Sequence, residues 1–163
     1  MVKIKTINSV TLTEDGAAAA FTVTSIEPES DSAKWEYKYT SQVWITSTEP
    51  GAVPRQLTFN KEGASQPVWS PDGKQLAFVR TIESKPQVFI LSLAGGEAMQ
   101  LTKFKYGAST PKWSPDGRQI VFRAGPGGAT PGLGLWVRSL DSVETHLLNG
   151  TTSTTVPLPF WSP

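Results

Sequence analysis

No cysteine occurs in the 163 residues, so the chain has no disulfide framework and no thiolate to act as nucleophile or metal ligand, which fits a reducing compartment such as the cytoplasm. Histidine is nearly absent as well: His146 is the single imidazole available for any role as general base or ligand. Charge of one sign is not in excess, because 15 basic and 14 acidic residues leave a net +1. Such a balance sets up no field that would draw the chain to nucleic acid or to an anionic membrane, and lysines such as Lys103 and Lys105 read as solvated surface. No apolar run approaches the roughly 20 residues a membrane-crossing helix needs. The first seven residues, Met1 to Ile7, alternate apolar with polar and lack the continuous apolar core of a signal peptide, so they read as a strand. What remains, 38% hydrophobic and 18% charged, is the balance of one soluble globular domain.

What is present is a repeat. Pro67-Val68-Trp69-Ser70-Pro71-Asp72-Gly73-Lys74-Gln75-Leu76-Ala77-Phe78 returns as Pro111-Lys112-Trp113-Ser114-Pro115-Asp116-Gly117-Arg118-Gln119-Ile120-Val121-Phe122, with the two tryptophans 44 residues apart. A further copy begins at Pro159-Phe160-Trp161-Ser162-Pro163. A degenerate earlier one is visible in Asp15-Gly16 followed by Phe21 at the same offset, with Leu12 in the place of the tryptophan. A period in the forties is that of a propeller blade.

Within each repeat the alternation is that of short strands. In the middle repeat it predicts strands around Pro67 to Ser70, Gln75 to Arg80, Gln87 to Leu91 and Met99 to Thr102. Third strands also fall at Gln42 to Ile45 and Leu135 to Val137, and fourth strands at Arg55 to Thr58 and Thr145 to Leu148. Asp-Gly between the first two strands is a hairpin signal, glycine supplying the positive φ, and Gly95-Gly96 makes the next turn.

The expected fold is all-β: a partial β-propeller of about three four-stranded blades plus one extra C-terminal strand. The blades are expected at about 1–63, 64–107 and 108–155, with the start of a further blade strand at 156–163. Three blades leave two faces uncovered, and pairing two chains around one axis would complete a six-bladed ring, so the expected partner is a second copy of this chain. The strand from Pro157 to Trp161 would then pair into the partner as a clasp.

Trp-Ser-Pro-Asp-Gly followed by Leu-Ala-Phe is similar to the TolB-like, or WD40-like, propeller repeat (PD40). The order of Leu12 to Gly16, the polar excursion ending in Lys38-Tyr39, Val43-Trp44-Ile45 and Pro54 to Thr58 resembles the opening blade of the N-terminal propeller of prolyl oligopeptidase-class serine peptidases, especially acylaminoacyl and dipeptidyl peptidases. The stretch from Gly134 to Ser142 resembles instead the repeat of bacterial multidomain proteins, including kinase-linked sensors. This change of dialect, with an end inside a motif, raises the expectation of an engineered chimera or a cut fragment.

The resemblance implies chemistry that the residues do not supply. Peptidases of that class need Gly-x-Ser-x-Gly with a histidine and an acid on an α/β-hydrolase domain, and no Gly-x-Ser-x-Gly occurs here. His146 reads as a half-exposed strand residue. The glycine-rich run from Gly125 to Gly134 lacks the lysine and hydroxyl of a phosphate loop and reads as a connection between strands. Asp15, Asp72 and Asp116 recur once per blade without the clustered oxygen ligands calcium needs, and read as turn formers. No catalytic, cofactor or metal residue is therefore expected. The structural motif consists of Asp15, Gly16 and Phe21, of Trp69, Pro71, Asp72, Gly73 and Phe78, of Trp113, Pro115, Asp116, Gly117 and Phe122, and of Trp161. Candidate partner contacts are Trp35, Tyr37 and Tyr39 in the excursion from Glu27 to Tyr39, together with Phe160 and Trp161. Asn149-Gly150-Thr151 matches a glycosylation acceptor and reads as a turn. Three functions stay open: a self-associating non-catalytic module, a fragment of the substrate-gating propeller of a serine peptidase, and a TolB-like docking propeller for a protein, peptide or small molecule.

Overall fold

The protein is described from a computed structural model, which covers residues 4–28, 37–125, 132–152 and 159. The described residues build twelve strands and no helix. The first sheet contains β1 (Ile4–Leu12), β2 (Ala18–Pro28), β3 (Tyr37–Ser47) and β4 (Arg55–Gln56). The second contains β5 (Ala64–Trp69), β6 (Gln75–Ile82), β7 (Lys85–Ser92) and β8 (Met99–Gln100), and the third β9 (Ala108–Trp113), β10 (Gln119–Ala124), β11 (Gly134–Ser139) and β12 (Thr145–Leu147). Each sheet is an antiparallel meander in sequence order, one strand beside the next. The result is a partial β-propeller of three four-stranded blades.

Packing explains why the middle strands are so apolar. The second blade is covered on both faces, and Leu76, Ala77, Phe78 and Val79 of β6 are all buried, so both parities of the strand must be apolar. One face meets blade 1: Ala64, Trp69, Leu76, Phe78 and Phe89 form a core with Ala20 and Val43. The other meets blade 3: Ala77, Val88, Ile90 and Leu101 pack with Trp113, Ile120, Phe122 and Ala124. Phe104 fills the second core edge-on to Phe122 and Trp136, with ring centroids 5.5 and 4.9 Å away.

The turns of the repeat differ in one respect from the sequence expectation. Asp72-Gly73 is not the central pair of a two-residue hairpin. The Gly73 N–H donates to the Ser70 carbonyl at 2.9 Å and the Ser70 N–H to the Gln75 carbonyl at 2.9 Å, so Pro71 and Asp72 occupy the centre of the turn and Gly73, at φ +66°, follows it. This is where a type I turn favours proline first and glycine last. The two-residue hairpin lies instead between β6 and β7, at Glu83 and Ser84, both with positive φ. Gly95 and Gly96 lie between β7 and β8.

Blade 1 is taller than the others. Its β2–β3 ladder runs from Ala18↔Ser47 to Pro28↔Tyr37, whereas the β6–β7 ladder closes at Ile82↔Lys85. The extra rungs, Ile26↔Tyr39, Glu27↔Lys38 and Pro28↔Tyr37, rise beyond the rim, with Tyr37 and Tyr39 52% and 66% exposed. Trp35, Phe160 and Trp161, and the expected C-terminal strand apart from Pro159, lie outside the described residues, as does most of the glycine-rich run.

Candidate functional site

Each 1–2 turn is built around one carboxylate. The Ser70 hydroxyl donates to Asp72 Oδ1 at 2.6 Å, the Lys74 N–H donates to the same oxygen at 3.1 Å, and the Gln75 N–H donates back to Ser70 Oγ at 2.9 Å. Ser114, Asp116, Arg118 and Gln119 repeat the arrangement, and so do Thr13, Asp15, Ala17 and Ala18. In all three, the hydroxyl and then the main-chain N–H hold the aspartate pKa below its ordinary value. The turns of successive blades nest: Gly73 sits 3.6 Å from the Thr13 methyl and Gly117 3.6 Å from the Pro71 ring, measured from where a Cβ would stand. Asp15 and Asp72 line one groove with Thr13, Pro71 and Gly73, yet among the described residues no three His, Asp or Glu side chains gather into a metal site.

The tryptophans of the motif sit between blades. Trp113 is 8% and Trp69 9% exposed, with Phe78 and Phe122 fully buried beside them. Leu12, in the position of the tryptophan in blade 1, is 55% exposed. By strand register it shares its side of blade 1 with Ile7, Phe21, Val23 and Trp44, the counterpart of the side that blade 2 turns toward blade 1. Ile7 is 63% exposed there, while Phe21 is buried.

A second feature of the site was not legible as a motif. Ser9, Gln66 and Thr110, each three residues before Leu12, Trp69 and Trp113, have φ of +51°, +53° and +51°, and the inner strand shifts register beside each. Such a conformation costs about 1–2 kcal/mol per non-glycine residue, and here it is repeated blade by blade as a bulge. The Thr110 N–H donates to Gln66 Oε1 at 2.8 Å, joining one bulge to the next. The bulged strands line a groove of about 470 Å³ formed by Ser9, Val10 and Thr11, by Gln66 to Val68, by Thr110 to Lys112, and by Pro159, which is buried. Among the described residues Lys112 is its one charged lining residue.

Two glutamines were likewise unmarked. In blade 2 the Gln87 side chain donates to the Phe104 carbonyl at 2.7 Å and accepts from Thr102 Oγ1 at 2.8 Å and the Phe104 N–H at 3.1 Å; Thr102 Oγ1 in turn accepts from the Val88 N–H. In blade 1 Gln42 likewise donates to the Asn60 carbonyl at 2.6 Å and accepts from Thr58 Oγ1 at 2.7 Å, and Thr58 Oγ1 accepts from the Val43 N–H. The available signal was a glutamine opening the apolar third strand twice at one offset. In blade 3 Gly134 stands there, and Thr151 Oγ1 serves the Leu135 N–H. His146 is exposed and lies 3.9 Å from Glu144.

Over 86 residues the chain is 40% identical to the uncharacterized peptidase YuxL of Bacillus subtilis strain 168, a stretch that makes up 52% of this chain and 12% of that protein. Pyrococcus horikoshii acylaminoacyl peptidase superposes with a TM-score of 0.65 at 18% identity, covering 87% of this chain and 24% of the other. TolB from Acinetobacter baumannii superposes with a TM-score of 0.55 at 15% identity, covering 91% and 44%. The chain thus spans less than half the length of each of these relatives, and the two structural likenesses, at such low identity, speak for the fold alone. The model of the TolB beta propeller domain, PD40, matches residues 25–163. Most of the chain is covered by that match, and its three sheets carry the repeat in register, so this chain belongs to the TolB beta propeller domain family.

Proposed function

We propose that this polypeptide is a non-catalytic propeller module that covers its two open blade faces with those of a second copy, giving a ring of six blades. One observation carries the reading. The outward side of blade 1 keeps the apolar pattern of an interblade face, with Ile7 and Leu12 exposed at positions whose counterparts in blade 2 are buried. A blade is stable when both faces are covered, and exposed apolar rows of this kind favour association. In a two-fold pair, blade 3 of each copy would meet blade 1 of the other. The strand from Pro157 to Trp161 would pair into the first blade of the partner copy as a clasp.

Light scattering coupled to gel filtration tests this directly. The expected mass is twice 17.6 kDa, and removal of the residues after Thr155 should weaken the pair. A stable monomer overturns the reading.

A second reading is supported by the names of the relatives, two of which are peptidases. In it the chain is part of a longer propeller that filters peptides on their way to a hydrolase domain, and further blades of the same polypeptide cover the open faces. A monomer that gains stability only when joined to additional blades favours this reading over the first.

A further inference from the structure

The two blade boundaries of this chain are not chemically equivalent. At the junction of blades 1 and 2 the loop after the fourth strand reads Phe59-Asn60-Lys61-Glu62, and Leu91 packs against the apolar core there. The equivalent positions at the junction of blades 2 and 3 are Lys103-Phe104-Lys105-Tyr106 and Arg138. One lysine is common to both. The replacement of Phe59 by Lys103, of Glu62 by Tyr106 and of Leu91 by Arg138 therefore belongs to the second junction and is not imposed by the repeat.

These residues line a groove of about 600 Å³ between the outer strands β8 and β12, with Thr102, Phe104, Val143 and Thr145 along its walls. Arg138 reaches across it: Nη1 donates to the Leu101 carbonyl of blade 2, and Nε donates to the Ser142 carbonyl at 3.2 Å. That fixes the guanidinium and leaves three of its five N–H donors over. The Lys105 ammonium stands 5.3 Å from the centre of the Tyr106 ring. Among the described residues no carboxylate lines the groove and none pairs with Arg138, Lys103 or Lys105. In a chain of net charge +1 this is a local concentration of three cations, one of them partly desolvated and rigidly held without a counterion.

We infer that this groove docks a short acidic segment of a partner protein, its carboxylates meeting Lys103, Lys105 and Arg138 and its apolar side chains lying on Phe104, Tyr106 and Val143. The occupant follows from charge complementarity together with the walls. A groove of this volume is of ligand size, and its aromatic and aliphatic surface, with Tyr106 60% and Val143 84% exposed, offers nothing to a small inorganic anion. Arginine held in a fixed fork suits a carboxylate bidentately, whereas the two lysines act as point charges that tolerate register.

The test uses the full chain and a fluorescein-labelled hexapeptide of alternating glutamate and leucine, followed by fluorescence anisotropy at low and at physiological ionic strength. Saturable binding that weakens with salt is expected. The double substitution Lys103→Glu and Lys105→Glu, at two exposed positions, should weaken it at least tenfold without changing circular dichroism or elution volume. The matching hexapeptide of glutamine and leucine should not bind. The inference is overturned by equal binding of the double variant, by equal binding of the glutamine peptide, or by no saturation up to about 1 mM peptide. Displacement by inorganic phosphate at the peptide's own affinity would overturn it too, by making the site one for small anions.

Discussion

The indole N–H of Trp113 donates to the main-chain carbonyl of Val68 at 3.2 Å, so one tryptophan both fills the core between blades 2 and 3 and hydrogen-bonds across it. Trp69, its counterpart one blade earlier, is equally buried, yet its Nε1 has no hydrogen-bond partner.

The two tryptophans should therefore respond differently to the same substitution. Trp113→Phe leaves the Val68 carbonyl without its donor and should cost about 1–2 kcal/mol more than Trp69→Phe, which removes an N–H that was already unpaired. Urea denaturation of the two variants measures the difference, and equal losses would refute the asymmetry.

Acid stability should carry the signature of the turn carboxylates. The pKa values of Asp15, Asp72 and Asp116 are lowered in the folded state by the neighbouring hydroxyl and N–H donors. Their contribution is thus fully present above the unfolded value, near 3.8, and is lost as pH falls through the lower folded values. Replacing Asp72 and Asp116 together by asparagine, which keeps an acceptor oxygen but no charge, should lower stability near neutral pH and flatten its fall below the ordinary carboxylate range. Denaturant midpoints recorded across that range provide the check.

The hairpin between β6 and β7 holds Glu83 at φ +49° and Ser84 at φ +62°. Neither residue suits the left-handed region, where asparagine and glycine sit at little cost. Glu83→Asn combined with Ser84→Gly should stabilise the chain by about 1 kcal/mol, read as a rise in melting temperature. A fall would mean that one of the native side chains makes a compensating contact.

Gln87 is buried, its amide oxygen accepting from the Thr102 hydroxyl and the Phe104 N–H and its amide nitrogen donating to the Phe104 carbonyl. Gln87→Leu should cost about 2–4 kcal/mol, because the Phe104 N–H and carbonyl and the Thr102 hydroxyl all lose a partner inside the blade. Hydrogen exchange at Phe104 should quicken in parallel. A loss within a few tenths of a kcal/mol of zero would show that water reaches the loop.

Much of the blade was readable from the order of residues, because strands and tight turns are set by interactions between near neighbours in the chain. Ser70, Pro71, Asp72 and Gly73 close a turn with groups only two to five residues apart, and the alternation of Gln75 to Arg80 is the pleat itself. The turn between Glu83 and Ser84 escaped because its residues have no preference for the backbone they adopt; the surrounding ladder imposes it. Gln87 escaped because a glutamine at a strand start looks like any polar residue until Thr102 and Phe104 come to lie beside it.

The sequence by itself determined the repeat, its four-stranded unit and the apolar rows that must be covered, since each follows from local periodicity and the need to bury nonpolar surface. Only the tertiary structure decided which residues meet across blades. It put the Val68 carbonyl under Trp113, joined Gln66 to the bulge at Thr110, and carried Arg138 over to Leu101. These contacts join residues 37 to 45 positions apart, and at that separation the outcome depends on how blades stack, a rotation and translation that no local preference encodes.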